Sequence, residues 1–105
     1  MPPLQRFHER GIGMIRVLYY AGVRDMLGIS ETCVEGFSGT FAGLLKHLEQ
    51  HHGISPADLS QAKGADPLSA LILMINGRHI VHAGGLDASV SDGDVVSIFP
   101  IIGGG

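Results

Sequence analysis

Residues 41–52 have the clearest helical pattern in the chain, and this pattern constrains the fold more than any other feature. Four apolar side chains recur at positions i, i+3, i+4 and i+7 and therefore share one helix face: Phe41, Leu44, Leu45 and Leu48. Thr40 can cap the first turn, and Gly53 can adopt the left-handed conformation that ends a helix. An amphipathic helix has to bury its apolar face, so we expect it to lie on a sheet.

Two segments before this helix are typical of strands. Residues 14–20, MIRVLYY, carry apolar side chains on both faces, which predicts a strand in the centre of a sheet. Residues 30–36, SETCVEG, alternate as a half-buried strand does, and we expect Cys33 to be a small buried side chain rather than a redox thiol. The turn-rich link between the two segments has room for one helical turn before Gly28.

The segments after the helix predict three further strands. Residues 54–69 form a long polar connection, which can hold one helical turn after Ser55. Residues 70–83, ALILMINGRHIVHA, predict a hairpin whose turn is Asn76-Gly77, since both residues tolerate a positive φ. The Asp92-Gly93 turn leads into a last apolar strand that is central in the sheet.

This order of elements predicts an α+β fold with a mixed sheet of four to five strands packed on one main helix, which is the ubiquitin-like β-grasp. Residues 1–13 show neither the helical nor the strand periodicity of apolar residues and are interpreted as a flexible N-terminal extension. A domain over residues 14–100 follows. Pro100 cannot donate a ladder hydrogen bond, so residues 101–105 are predicted to form a flexible glycine tail. Five extended residues span roughly 17 Å.

Composition argues against several classes of protein. Seven Lys and Arg against ten Asp and Glu give a net charge of −3 without a basic cluster, so we expect no nucleic-acid partner. The longest apolar run, residues 70–75, is too short to span a bilayer. With one cysteine and no pattern of a signal peptide, we expect a cytoplasmic protein. His47 and His51 share a helix face, but no further ligand is placed by sequence, so no metal site is expected.

The three glycines at residues 103–105 are the candidate reactive segment, because they end in a free carboxylate. A terminal glycine carboxylate has no Cβ beside it, is ionised at pH 7, and can attack the α-phosphate of a nucleotide. A sulfur donor converts the resulting acyl-adenylate to a thiocarboxylate, whereas a lysine amine converts it to an amide. The chain contains no GxxxxGK[ST] loop, so we expect no bound cofactor and assign the use of ATP to an activating partner.

Three segments resemble the ubiquitin-like sulfur carriers of the MoaD/ThiS type, most closely the small subunit of molybdopterin synthase. They are MIRVLYYAGVRDMLG, LILMINGRHI and SVSDGDVVSIFPIIGGG, within residues 14–105. The resemblance implies that a ubiquitin-activating-type enzyme adenylates Gly105, which then carries sulfur as a thiocarboxylate. It also implies that the large subunit of molybdopterin synthase, or another sulfur-acceptor enzyme, receives the tail. No catalytic site within the chain itself is implied.

The third glycine departs from this family, which typically ends in two. Either the activating enzyme accepts Gly105, or Gly105 is trimmed and Gly104 becomes the reactive end, or the partners differ. The function also has alternatives: a carrier for thiamine or another sulfur-containing metabolite, a ubiquitin-like modifier joined to lysines, or an interaction module with an inert tail. Lys46 and Lys63 are the candidate acceptors if the modifier forms chains.

A carrier also needs a docking surface. If Val96 and Ile98 face the helix, Phe99 faces outward on the last strand. Phe99 is then either part of the core or an anchor for a partner, and both interpretations stay open. The residues predicted for docking are Phe99, Pro100, Ile101, Ile102 and Gly103.

Overall fold

The structure, a computed structural model, describes residues 13–59 and 70–101. Its regular elements are, in chain order, β1 (Met14–Tyr19), α1 (Ala21–Leu27), β2 (Glu31–Glu35), β3 (Gly39–Thr40), α2 (Phe41–His52), α3 (Pro56–Leu59), β4 (Leu71–Ile75), β5 (Arg78–His79), β6 (Ser89–Val90) and β7 (Val95–Pro100). Two 3-10 turns, Ile80–His82 and Gly85–Asp87, connect β5 to β6.

Five strands form one mixed sheet in the order β2-β1-β7-β4-β5. The first and last strands, β1 and β7, pair in parallel near the centre, while the other neighbours pair antiparallel. The predicted central positions of the first and last strands are therefore confirmed. The chain has the ubiquitin-like β-grasp fold.

Helix α2 covers one face of this sheet, which we call the inner face. Its predicted apolar side chains are all buried: Phe41, Leu44, Leu45 and Leu48. The Thr40 hydroxyl accepts a hydrogen bond from the Gly43 N–H at 3.0 Å, and Gly53 ends the helix with φ of 70°. Both helix ends follow the sequence prediction because each is set by its own local residues.

The Asn76-Gly77 turn is tied to the start of β7. Asn76 has φ of 50°, its side-chain amide donates to Asp94 at 3.0 Å, and its side-chain oxygen accepts from the Val95 N–H at 2.8 Å. These bonds connect the hairpin turn to the turn that precedes β7. They hold the entrance of the strand that leads to the tail.

Three features differ from the sequence predictions. Helix α1 has seven residues rather than one turn, because Val23 is buried against the core. The helix continues to Leu27 and ends at Gly28, whose left-handed conformation has φ of 77°. Strand β5 has two residues, since the chain bends into a 3-10 turn that buries Ile80. A small second sheet pairs β3 with β6, which no local pattern predicted.

Some predictions concern residues 1–12 and 60–69 and the tail residues Ile102, Gly103, Gly104 and Gly105, which lie outside the described residues. The proposed domain boundaries therefore stay predictions. Within the described ranges, no helix has the length and hydropathy needed to cross a membrane.

Candidate docking surface

Strand β7 leads the chain to the base of the tail from the centre of the sheet. Its last residue, Pro100, lies opposite Leu71 of β4, so the strand ends where the proline predicted. The next residue, Ile101, was predicted to lie outside the sheet, yet its N–H donates to the Ala70 carbonyl at 2.9 Å. The tail is thus anchored one residue beyond β7, and the Ile101 side chain is 48% exposed.

The alternation predicted for β7 is confirmed. Val96 and Ile98 are fully buried beneath α2, whereas Phe99 is half-buried on the opposite face. Phe99 is therefore not a core residue on the helix side. Its position supports the docking interpretation of the sequence over the core interpretation.

The face of the sheet away from α2 carries a patch of half-buried apolar side chains. We call this the outer patch, and its members are Leu18, Tyr20, Ile72, Met74 and Phe99. Strand register places them together, since Ile72 pairs with Phe99, while Leu18 and Met74 both pair with Ser97. An apolar patch that no other element of the described chain covers is typical of a protein interface.

Tyr20 and Phe99 form the part of the outer patch that lies nearest the tail. Their rings stack in parallel planes, with centroids 4.3 Å apart and an angle of 7°. The backbone of Tyr20 is held at the end of β1, because its N–H donates to the Ile98 carbonyl at 3.1 Å. Rigid aromatic rings lose little side-chain entropy on binding, which is the property expected of a docking anchor.

The sequence prediction missed Leu18, Tyr20, Ile72 and Met74. For Leu18 and Tyr20, the available signal is the apolar character of both faces of residues 14–20, which predicts a central strand. A sheet with its main helix on one face leaves the other face open. Apolar residues on both faces therefore also predict a docking surface.

A charged pair borders the outer patch on β1 and β2. Arg16 Nε donates to Glu31 Oε2 at 2.7 Å, and a second guanidinium nitrogen donates to Oε1 at 3.3 Å. These hydrogen bonds hold the pKa of the Glu31 carboxyl below its usual value. The pair gives one side of the apolar surface a fixed polar boundary.

Cys33 corrects a sequence prediction, because its side chain is exposed rather than buried. It lies on the edge strand β2, opposite Arg16, on the same face of the sheet as the outer patch. Its thiol donates to Glu31 Oε2 at 3.5 Å. Partial burial of the thiol raises its pKa first, and the hydrogen bond and charge of Glu31 raise it further. Thr32 and Val34 take the buried positions of this strand, so alternation leaves Cys33 on the opposite face.

We expect Cys33 to react slowly despite its exposure, because the thiolate is the reactive form. Alkylation by iodoacetamide at pH 8 should be slower than for a small free thiol, and Glu31→Gln should accelerate it about two- to fivefold. The exposed carboxylate Glu49 on α2 provides the control Glu49→Gln. Equal rates for wild type and Glu31→Gln would contradict the role of Glu31.

Of the predicted site residues, the structure brings Phe99, Pro100 and Ile101 together at one corner of the sheet. The predicted docking residues Ile102 and Gly103 and the predicted reactive residues Gly104 and Gly105 lie beyond the described residues.

Several solved structures resemble this chain. SAMP1 from Haloferax volcanii has a TM-score of 0.66 at 23% identity, over 89% of this chain and 100% of that chain. One chain of the Amycolatopsis orientalis BexX/CysO complex has a TM-score of 0.60 at 26% identity, over 87% of this chain and 99% of that chain. One chain of the complex of subunits 1 and 2 of the molybdopterin-converting factor from Helicobacter pylori has a TM-score of 0.55 at 18% identity. The similarity covers 88% of this chain and 99% of that chain.

No curated protein matches the chain significantly. The model of the ThiS family matches residues 17–105, which include the second half of β1, all later strands, the outer patch and the three glycines. This match covers most of the chain and confirms the membership that the opening and closing segments predicted. The chain belongs to the ThiS family, within the ubiquitin-like sulfur carriers of the MoaD/ThiS type.

Proposed function

We propose that this protein is a sulfur carrier whose C-terminal glycine, Gly105, is adenylated by a partner enzyme and converted to a thiocarboxylate. The acceptor pathway that we propose is molybdopterin biosynthesis. The observation that carries the proposal is the family match through Gly105, on a chain whose central strand β7 ends at Pro100 beside an apolar patch that no other described element covers.

The outer patch and the tail base support docking of this kind. A partner that covers the Tyr20–Phe99 pair meets the chain where the tail leaves the sheet. Because the Ile101 amide is bonded to Ala70, four residues remain beyond it, and they span at most about 13 Å when extended. A partner therefore needs its reactive centre within this distance of the docked patch.

The proposed chemistry has two steps. A carboxylate oxygen of Gly105 attacks the α-phosphorus of ATP, an O–P bond forms, and pyrophosphate leaves with the electrons of the broken P–O bond. Hydrosulfide then attacks the acyl carbon, AMP leaves, and one proton is released as the thiocarboxylate forms. This chain supplies the carboxylate and the docking surface, and a ubiquitin-activating-type enzyme supplies the ATP site.

The choice of acceptor rests on two likenesses. The opening segment resembles the small subunit of molybdopterin synthase, and one structural neighbour is solved as a complex of two molybdopterin-converting factor subunits. We therefore propose the large subunit of a molybdopterin synthase as the partner that accepts the sulfur. Thiamine or another sulfur-containing metabolite is the alternative product.

A protein modifier is the second candidate, and the likeness to SAMP1, the small archaeal modifier protein 1, favours it. The same adenylate would then react with a lysine amine to form an amide and release AMP. Lys46 is exposed on α2 and is an acceptor candidate, while Lys63 lies outside the described residues.

Intact mass spectrometry of the protein from its native host tests the proposal. We expect a species heavier by the difference between one sulfur and one oxygen, with fragments that place the change at the C-terminal residue. Branched peptides in which a lysine carries Gly-Gly or Gly-Gly-Gly would support the modifier instead. If neither species forms with the activating enzyme and ATP present, the proposal fails.

A further inference from the structure

We propose that His47 and His51 of α2 form a binding site for a divalent late first-row transition ion, and that Cu²⁺ is the ion bound most tightly. The site lies outside the tail and the outer patch and does not depend on the proposed function. The i, i+4 spacing places the two imidazoles on one helix face, where no metal site was expected, and the structure adds the distance between the rings.

The distance between the two rings is compatible with one shared ion. Their centroids are 4.4 Å apart, with an angle of 32° between the planes. With a metal–nitrogen bond of about 2.0–2.1 Å, each centroid lies about 3.2 Å from the ion, so two imidazoles at right angles have centroids about 4.5 Å apart. The observed separation thus fits two neighbouring positions of a square-planar or octahedral ion.

Neighbouring aromatic groups hold the first ligand in place. Phe37 contacts the His47 ring edge-on, with centroids 5.4 Å apart and an angle of 61°. The His47 side chain is half-buried at this position on α2. His51 is exposed and can adjust its rotamer to an entering ion.

The ion class follows from the donors. Imidazole nitrogen suits Cu²⁺, Ni²⁺ and Zn²⁺, right-angled nitrogen donors favour Cu²⁺ and Ni²⁺, and Cu²⁺ binds most tightly in this series. In the part of the chain that the structure describes, no group of three potential ligands is placed to hold an ion. Among residues 13–59 and 70–101, the site therefore has two protein ligands, and we expect water in the other positions.

The site is separated from the docking surface by the thickness of the fold. Helix α2 covers the inner face of the sheet through its buried side, whereas His51 lies on its exposed side. The outer patch lies on the other face of the same sheet. An ion at this site leaves the outer patch free, so binding of the ion and of a docking partner should be independent.

Calorimetric titration of the metal-free full-length chain with copper sulfate at pH 7.4 tests the site. We expect one ion per chain with a dissociation constant below about 10 µM. Removal of either ligand breaks the chelate, so His47→Ala and His51→Ala should each weaken binding at least about tenfold. The controls His8→Ala and His82→Ala should stay within about threefold of wild type, and electron paramagnetic resonance should show two coordinated nitrogens.

Three results would overturn the proposal. The first is a wild-type dissociation constant above about 10 µM, which identifies an adventitious ion only. The second is a His51→Ala variant whose affinity for Cu²⁺ falls by less than about tenfold. The third is an equal loss of affinity in either control variant. Because Phe37 packs on His47, the Cu²⁺ affinity of His47→Ala is interpreted only if the circular dichroism spectrum of this variant matches that of the wild type. His51→Ala replaces an exposed side chain and keeps the test decisive.

Discussion

Removal of Gly104 and Gly105 is expected to abolish thiocarboxylate formation, by a factor of at least about 1,000, because the barrier rises by more than about 4 kcal/mol when the reacting carboxylate is withdrawn. The fold should be unaffected, since β7 ends at Pro100 and the last bond to the sheet comes from the Ile101 amide. The measurement is intact mass after incubation with the activating enzyme, ATP and hydrosulfide. Thermal unfolding of the same samples reports on the fold.

Removal of Gly105 alone decides which glycine reacts. This variant still ends in two glycines, so it is the matched control for the double deletion. If Gly105 is trimmed in the native host and Gly104 is the reactive end, the single deletion should keep wild-type yield. If Gly105 itself reacts, the single deletion should lose most of the product because its end falls short by one residue, about 3.3 Å. A double deletion that retains full yield would contradict the proposed role of the tail.

Phe99→Ala is expected to weaken binding of the activating enzyme and of the sulfur acceptor by about 30- to 1,000-fold, the loss of about 2–4 kcal/mol that is typical of a buried aromatic anchor. The substitution removes one of the two stacked rings next to the tail. It leaves the buried side of β7 unchanged, because Val96 and Ile98 face α2. Surface plasmon resonance with immobilised partner measures the change.

Val81→Ala is the matched control for this prediction. Val81 is 64% exposed in the 3-10 turn after β5, outside the outer patch, so its removal should change binding less than about threefold. Both variants should unfold cooperatively, which separates lost contact from lost fold. Equal binding of wild type and Phe99→Ala would show that partners do not use the outer patch.

Local patterns predicted the elements that local forces determine. Helix α2 has the bounds expected from its apolar spacing, its Thr40 cap and Gly53, and all of these act within a few residues of one another. The Asn76-Gly77 turn was predictable for the same reason. The small sheet of β3 and β6 was not, because it pairs Gly39 with Val90 across about half of the chain.

The errors have a common physical origin. The small apolar side chain of Cys33 predicts burial, although the alternation through Thr32 and Val34 leaves it on the other face of its strand. Residue type hid the outer patch too, since apolar residues on both faces of β1 predict a central strand but do not show that the helix covers only one face. The stacking of Tyr20 on Phe99 was not predictable from local pattern, because it depends on the parallel pairing of β1 with β7.

The sequence by itself determined the β-grasp order, the main helix and the family, because periodicity, caps and turn residues act over short distances and the glycine tail is a chemical feature of the chain. Only the tertiary structure decided that Phe99 lies with Tyr20, Leu18, Ile72 and Met74 on the face of the sheet away from α2. The reason is geometric. One amphipathic helix can cover one face of a sheet, and the register between distant strands determines which apolar side chains remain on the other.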